Sequence, residues 1–504
     1  MKFIKQSILI ILIIIITINF SSCSNLNENK YNSSQIIHKI NYNTNYSLNL
    51  RNINNDLFLS IVEPITLNPV LNNNAETKYL LELCYEPLFR IDNGVIIPIL
   101  ADKIDISDNY RIINVKLKNN VFFNNNQRLK SSDVYQSFML SKNINNDLYK
   151  NIKESLIELY IINDLNIRFI FKNSTYYNLF LLQDIPIIKF DKNRIYEKEY
   201  IPFGTGPYMV SSVKPKDELI LTSNNLYYKN QPHINTIKVK YVKDLKGELN
   251  LFNSKLTDLL ISENSDWKYN FDSNYYNYID FTTNIFECIL FNERKYPTNI
   301  IEIRKNVYSL IDISKILNDS YYGQLEENYY PIHPYFLKNN LKPKKYKPKI
   351  SWYNPKKIII LVNQENKYRI SLAYYLKDIL EANKFQVDLQ IINFNDYSNK
   401  INNGEFNIAI CGLRVDTPIG FNTLFGIAGS NIISKWIFND IYNFKSVDDF
   451  NQKLKDINVK MENYFPFIGL GFKKGSIIYD KRFNIIIKPQ FNIPINNSNL
   501  WLIK

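Results

Sequence analysis

Cysteine is scarce in this sequence, with four residues in a chain of 504. A domain held together by disulfides would use cysteine more densely and in even numbers. Cys23 lies in a separate N-terminal segment, which leaves Cys84, Cys288 and Cys411, an odd number spread over the chain. We expect these three to be small buried hydrophobic residues. One disulfide among them is compatible with the sequence, which does not select a pair.

Histidine is also rare: His38, His233 and His333 are the only three, and they are far apart. The chain contains neither the His-Glu-x-x-His motif that holds a catalytic zinc nor the Gly-x-Ser-x-Gly motif of many serine hydrolases. The sequence therefore disfavours an exported hydrolase. We expect no enzymatic activity, no metal site and no cofactor.

No stretch of the chain is apolar over the roughly 20 residues that a membrane span requires. The clearest apolar run extends from Ile8 to Ile16, behind Lys2 and Lys5. A short basic segment followed by such a run is typical of a signal peptide. We therefore expect residues 1–22 to be a signal peptide and the rest of the chain to contain no membrane span.

Small residues follow the apolar run, and Ser21 and Ser22 directly precede Cys23. This arrangement resembles the bacterial lipobox, with Phe20 where Leu is more usual. The resemblance implies that Cys23 is lipidated and that the protein is anchored to the outer face of the cytoplasmic membrane. The alternative is a plain secretory signal with an unrelated cysteine. Residues 23–47 are rich in Asn, Ser and Tyr, as expected of a flexible tether.

The formal net charge of +13 raises the question of a nucleic-acid partner. The lysines are dispersed, however, and the densest cluster, residues 342–349, contains two prolines and is typical of an exposed loop. No nucleic-acid-binding motif occurs. We expect no nucleic-acid partner, and a basic face close to an anionic membrane accounts for the charge.

Hydrophobic patterning in the C-terminal half indicates an α/β architecture. Residues 357–363 form a continuous apolar run, as in a strand buried on both faces. A helical pattern from Leu372 to Leu380, a strand around residues 387–391, a short helix around 396–401 and a strand at 406–410 follow. Such a series predicts a largely parallel sheet, in which ligands bind beyond the carboxyl ends of the strands.

Five stretches carry motifs in a characteristic order and spacing. They are Glu63–Pro69 with Tyr85–Leu88; Pro98–Asp102 through Ser107-Asp108 and Val115–Asn119 to Ser131–Val134; Gly204–Tyr208 with Asn224 and Tyr228; Phe291-Asn292 with Arg304–Asp312; and Gly412–Asp416 with Pro418. Together they resemble the extracytoplasmic solute-binding proteins of family 5, the oligopeptide and dipeptide binding group, over nearly the whole mature chain.

The resemblance implies a two-lobed α/β fold of the periplasmic-binding-protein type (type II) with an extra inserted domain. We expect lobe I to consist of residues 48–75, 200–285 and 475–504, with 76–199 as its inserted subdomain, and lobe II to span 286–474. The implied function is capture of extracellular peptides, or peptide-like solutes, and delivery to an ABC permease by a monomeric protein. A non-peptide solute, or a surface receptor or chaperone without a transport role, are the alternatives.

The resemblance also implies the ligand-binding residues. Peptide binders of the family hold an extended peptide between two segments, which match Glu63, Pro64 and Ile65 and the stretch Gly412, Leu413 and Arg414. The family's ammonium-binding aspartate matches Asp416, although this carboxylate is otherwise expected to cap a loop. Leu413 stands where many oligopeptide binders have a tryptophan. A less aromatic pocket implies either a different peptide length or a non-peptide solute, such as an oligosaccharide or a metal chelate.

Local chemistry predicts structural roles for several residues of these motifs. Gly204 and Gly206 are expected either where the backbone has a positive φ or where two backbones approach closely. Ser131 and Ser132 precede an apolar helical stretch and are predicted to be N-caps, and Asp312 is predicted to cap a turn.

Overall fold

The computed structural model describes residues 55–144, 149–337, 341–344, 346, 357–415 and 417–503. Within those ranges, no helix combines the length and apolarity that a membrane crossing would need. The strands are β1 Asp56–Val62, β2 Phe89–Asp92, β3 Val95–Pro98, β4 Ala101–Ser107, β5 Ile112–Leu117, β6 Leu156–Asn163, β7 Asn166–Phe171, β8 Tyr208–Lys214, β9 Glu218–Ser223, β10 Thr236–Val242, β11 Leu259–Ser262, β12 Tyr276–Phe291, β13 Leu325–Glu327, β14 Lys357–Asn363, β15 Gln386–Ile392, β16 Ile408–Arg414, β17 Phe467–Asp480, β18 Phe483–Asn484 and β19 Leu502–Ile503.

Eleven α-helices lie between the strands of the described ranges. They are α1 Ala75–Leu81, α2 Ser131–Asn143, α3 Lys150–Ser155, α4 Tyr177–Gln183, α5 Leu245–Asn253, α6 Ile301–Leu310, α7 Ile313–Lys315, α8 Lys367–Ala382, α9 Phe394–Asn403, α10 Phe421–Ala428 and α11 Val447–Tyr464. Short 3-10 segments at Ser265–Asn270, Gly429–Asn431, Ser434–Tyr442 and Ser498–Leu500, and a π-helical turn at Ile316–Ser320, complete the helical structure of these ranges.

One large sheet runs through the molecule in the order β15-β14-β16-β12-β17-β11-β1-β10-β9-β8, with β13 added beside β17. Its centre is the antiparallel pair of the two longest strands, β12 and β17. On one side lie β14, β15 and β16, and on the other β11, β1, β10, β9 and β8. The long pair therefore joins two halves of the sheet, which form the two lobes.

The predicted strand–helix series in the C-terminal half is confirmed. The apolar run 357–363 is β14, which lies parallel to both β15 and β16. Ile358, Ile360 and Val362 are fully buried, because helices cover the faces of a parallel sheet. The predicted helices are α8 and α9, which separate these strands along the chain.

The segment between α1 and β8 contains a sheet of its own, a four-stranded antiparallel sheet in the order β4-β5-β7-β6. Gly204 and Gly206, at the end of this segment, lie against the backbone of Cys84. A Cβ added at Gly204 would be 2.1 Å from the Cys84 carbonyl oxygen. The predicted close backbone approach is therefore confirmed.

The N-cap prediction at Ser131 and Ser132 is wrong. The helix α2 begins at Ser131, and Lys130 occupies the N-cap. The Asp133 carboxylate accepts a hydrogen bond from the Lys130 backbone N–H at 2.9 Å, which ties down the turn from inside the helix. Asp312 does cap its turn, accepting from the Lys315 backbone N–H at 3.2 Å.

Candidate functional site

The carboxyl ends of strands from both lobes meet at the middle of the long central pair. The strand β11 pairs with the second half of β17, from Ser476 to Tyr479, and β16 pairs with the second half of β12, from Ile285 to Phe291. Since β11 and β16 run in opposite directions along this pair, their carboxyl ends face each other. The register of β12 against β17 shifts between Thr282 and Phe286, in the gap between the two ends.

An ion pair joins these two strand ends across the gap. Arg414 is the last residue of β16, and Glu263 directly follows β11. The guanidinium Nη2 of Arg414 lies 2.7 Å from Oε2 of Glu263, and both side chains are mostly buried, with 16% and 17% exposed. Nη1 of Arg414 donates to Oδ1 of Asn284, within the register shift, at 2.6 Å. Contacts from Glu263, after β11, and from the central strand β12 therefore hold Arg414.

Glu263 accepts a second hydrogen bond from the lobe I side. The hydroxyl of Tyr79, on α1, donates to Oε1 of Glu263 at 3.2 Å. Burial alone would raise the pKa of Glu263, but the charge and hydrogen bond of Arg414 outweigh burial and hold this pKa below its ordinary value. Glu263 is therefore ionised at neutral pH, and it places a fixed negative charge at the carboxyl end of β11.

Two further carboxyl groups lie beside this ion pair. Glu76 is in the first turn of α1 and Glu248 in the first turn of α5, and both helices pack against β1. Burial and the charge of Glu263 raise the pKa of Glu76 to about 7, although Arg414 acts in the opposite direction. Burial and the charge of Glu76 raise the pKa of Glu248 to about 9. The sheet edge that carries Glu263 is therefore rich in carboxyl groups. Two of them, Glu76 and Glu248, hold protons readily because their pKa values are raised.

Comparison with known proteins gives the family. A family model described as bacterial extracellular solute-binding proteins, family 5 Middle, matches residues 95–434 of the 504-residue chain. The chain belongs to family 5 of the bacterial extracellular solute-binding proteins. Its predicted two-lobed α/β fold is confirmed.

The chain is similar to one curated protein and to several solved structures. The oligopeptide-binding protein AppA of Bacillus subtilis is 22% identical over 453 residues, 79% of this chain and 80% of AppA. The substrate-binding protein CtaP of Listeria monocytogenes has a TM-score of 0.75 at 17% identity, covering 89% of this chain and 99% of CtaP. NikA of Brucella suis, solved in complex with Fe(III)-EDTA, has a TM-score of 0.72 at 16% identity, and the match covers 89% of this chain and 100% of NikA.

The first segment that the family 5 resemblance implicates lies at the same sheet edge. Glu63 follows β1 and is exposed, and its Oε1 accepts a hydrogen bond from the Lys216 backbone N–H at 2.8 Å. Pro64 is half-buried, whereas the Ile65 side chain is 72% exposed. An apolar side chain so exposed beside the cleft offers a contact surface for a solute.

The three residues of the second segment, on β16, differ in their surroundings. The Leu413 side chain is fully buried in the hydrophobic core. Gly412 lies directly against a buried ion pair, because a Cβ there would be 1.7 Å from Nη2 of Arg369 and 2.4 Å from Oε1 of Glu287. Among the described residues of this segment, Arg414 is the one whose charged side chain reaches across the gap between the lobes.

Two predicted residues, Asp416 and Cys23, lie outside the residues that the structure describes. Both neighbours of Asp416 are described. Val415 donates its N–H to the Asn284 carbonyl oxygen at 2.9 Å. Thr417 accepts a hydrogen bond from the Tyr177 hydroxyl at 3.2 Å, so the segment between α1 and β8 also reaches the chain that follows β16.

Sequence reasoning missed Glu263, Glu76, Glu248 and Tyr79. Glu263 carries a readable signal, because it is a charged residue directly after the apolar run of β11. Glu76 and Glu248 each lie in the first turn of a helix, a pattern that is also common in helices far from any site. Their proximity depends on the packing of α1 and α5 against the same strand.

Proposed function

We propose that this family 5 protein captures a peptide or peptide-like solute between its two lobes and delivers it to the permease of an ABC importer. The ion pair between Arg414 and Glu263 carries the proposal. It joins opposite lobes at the carboxyl ends of two strands, where α/β sheets bind ligands. Opposite fixed charges at one place suit a zwitterionic solute, whose carboxylate would pair with Arg414. The name of the AppA relative supports a peptide.

We assign the solute contacts to the two segments that the family resemblance implicates. Glu63, Pro64 and Ile65 supply one wall, and Gly412, Leu413 and Arg414 supply the other, with Asp416 as the ammonium-binding carboxylate. Lobe I (48–75, 200–285 and 475–504), its inserted subdomain (76–199) and lobe II (286–474) close around the solute by a hinge motion of the central strands. The protein acts as a monomer that docks onto the permease.

A non-peptide solute is the second candidate, and the Fe(III)-EDTA bound to the NikA relative favours it. Thermal-shift screening of the soluble domain with peptides of different lengths distinguishes the two, because a ligand of the native state raises its melting temperature. Small-angle scattering of each hit should show a more compact protein. A flat response to every peptide, with a response to metal chelates or oligosaccharides, would reject the peptide in favour of those solutes.

We further propose that the chain is tethered through lipid on Cys23. Replacing the thiol removes the group to which lipid is attached, so Cys23→Ser should move the protein from membranes to the soluble fraction. Detergent phase partitioning of both forms is the measurement. A variant that stays in the detergent phase would refute the lipid anchor and leave solute binding untouched.

A further inference from the structure

The carboxyl groups of Glu76 and Glu248 form a pair next to the proposed solute cleft. Glu76 is half-buried and lies close enough to Glu263 and Arg414 to sense both charges. Glu248 is deeper, with 3% of its surface exposed, and the charge of Glu76 acts on it. The two carboxyl groups therefore interact, and the less buried one, Glu76, also senses the ion pair between Arg414 and Glu263.

These two carboxyl groups are not neutralised in the way their neighbour is. Glu263 has Arg414 as its cation, whereas within the described ranges no Lys, Arg or His nitrogen lies within 4.0 Å of Glu76 or Glu248. The Oε1 atom of Glu248 is fully buried and has no hydrogen-bond partner among the residues described. A buried carboxyl oxygen without a partner costs free energy.

The proposal below rests on the proposed binding of a solute in this cleft. We propose that Glu76 and Glu248 form a subsite for a basic group of the solute, an ammonium or a guanidinium such as the side chain of a lysine or an arginine. Such a group donates several N–H bonds in different directions. It can therefore contact Glu76 at the cleft edge while satisfying the unpartnered oxygen of Glu248. The solutes are then peptides, or peptide-like molecules, that carry a basic side chain.

An organic cation fits better than a metal ion. The part of the chain that the structure describes holds no group of three metal-ligating side chains, and this site offers two carboxylates and a neighbouring guanidinium. The raised pKa values of Glu76 and Glu248 are those of acids that lack a cation. A bound cation would lower both values, so its binding should release protons near neutral pH.

Matched peptide pools test the subsite directly. Each pool holds random pentapeptides with one position fixed as lysine, and its partner pool has norleucine there; a second set compares arginine with citrulline. The pairs match in length but differ in charge. For at least one position we expect the basic pool to bind about ten- to a hundredfold more tightly, the range of a charged hydrogen bond. Equal binding of lysine and norleucine at every position would overturn the subsite while leaving peptide binding intact.

Three variants assign the preference to residues. Glu76→Gln and Glu248→Gln should each reduce the lysine preference to less than about threefold, a difference under about 1 kcal/mol. Glu218→Gln is the matched control, since Glu218 is a mostly buried carboxylate on β9 that already has a cation, Lys214, at 2.5 Å. Retention of the full preference in both cleft variants would refute the assignment. Should Glu248→Gln fold poorly, the half-buried Glu76→Gln decides alone.

A small-molecule probe separates this inference from the proposed function. Agmatine carries a guanidinium on a short chain, and citrulline amide offers a neutral group of similar shape. At millimolar concentration, agmatine should raise the melting temperature of the wild type, citrulline amide should raise it less, and Glu76→Gln should abolish the difference. An agmatine response without any peptide response would keep the subsite and reject peptides as the solute. No difference between the two probes would overturn the subsite.

Discussion

The substitution Gly412→Ala tests what the glycine on β16 does. Its added Cβ would lie 1.7 Å from Nη2 of Arg369 and 2.4 Å from Oε1 of Glu287, far inside contact distance. Neither group has room to withdraw. Arg369 donates to both oxygens of Glu287 at 2.8 Å and to Oδ1 of Asn363 at 3.1 Å. The hydroxyl of Tyr321 donates to the same carboxylate at 3.0 Å.

The cost follows from the burial of this ion pair. The two side chains are 4% and 1% exposed, so the methyl group must separate charges that water cannot reach. Breaking a buried pair typically costs about 3–5 kcal/mol. Since the strands can yield slightly, we expect Gly412→Ala to lower the free energy of unfolding by about 3 kcal/mol. This loss should appear without any ligand.

Urea unfolding of the soluble domain, followed by circular dichroism, is the assay. Gly426→Ala is the matched control, because Gly426 lies in α10 and an added Cβ would meet nothing within 4 Å. This control should gain about 0.5–1 kcal/mol, because alanine favours a helix over glycine. A Gly412→Ala protein that unfolds within about 1 kcal/mol of the wild type would refute the packing role of this glycine.

Two further predictions concern charged groups near the cleft. Asp416→Asn should weaken the binding of a peptide with a free N-terminus by a factor of roughly a hundred or more, because an unpaired buried ammonium costs about 3–5 kcal/mol. The melting temperature of the ligand-free protein should change little. A loss of affinity below about threefold in calorimetry would exclude Asp416 as the ammonium site. The pKa of Glu248 is about 9 in the native protein, above its ordinary value of 4.5. Between about pH 4.5 and about pH 9 the native state therefore holds a proton that the unfolded chain loses, and the stability that this group contributes falls as the pH rises through that range. In Glu248→Gln the free energy of unfolding should therefore fall less between about pH 5 and about pH 8, and parallel urea-unfolding curves for variant and wild type would contradict this.

Local patterns in the sequence were sufficient for the sheet of lobe II. The strand β14 is recognisable because a strand buried on both faces is apolar at every position. The helices α8 and α9 are recognisable because their apolar residues recur at helical spacing. The sequence therefore also indicates that residues after β16 lie at a ligand-binding edge.

Local sequence patterns did not predict which residues come together to form the site. Glu263 and Arg414 are 151 residues apart, and their contact depends on two strands that pair with opposite halves of β12 and β17. Nothing in the local sequence of the four-residue strand β11 indicates this placement. The wrong N-cap at Ser131 has a different cause, because the Asp133 carboxylate binds the backbone N–H of Lys130 and so fixes Lys130 in the N-cap position.

The order of strands in lobe I has a consequence for how the protein is made. There β11 lies between β1, near the start of the described chain, and β17, which begins at residue 467. The buried Trp501 donates to the carbonyl oxygens of Ile486 and Asn496 and packs the final segment onto the core. During synthesis, β1 and β10 must therefore wait for more than 200 residues of intervening chain before their sheet is complete. The sheet of lobe I therefore keeps an open edge at β11 until β17 is made, and this non-local pairing delays its folding.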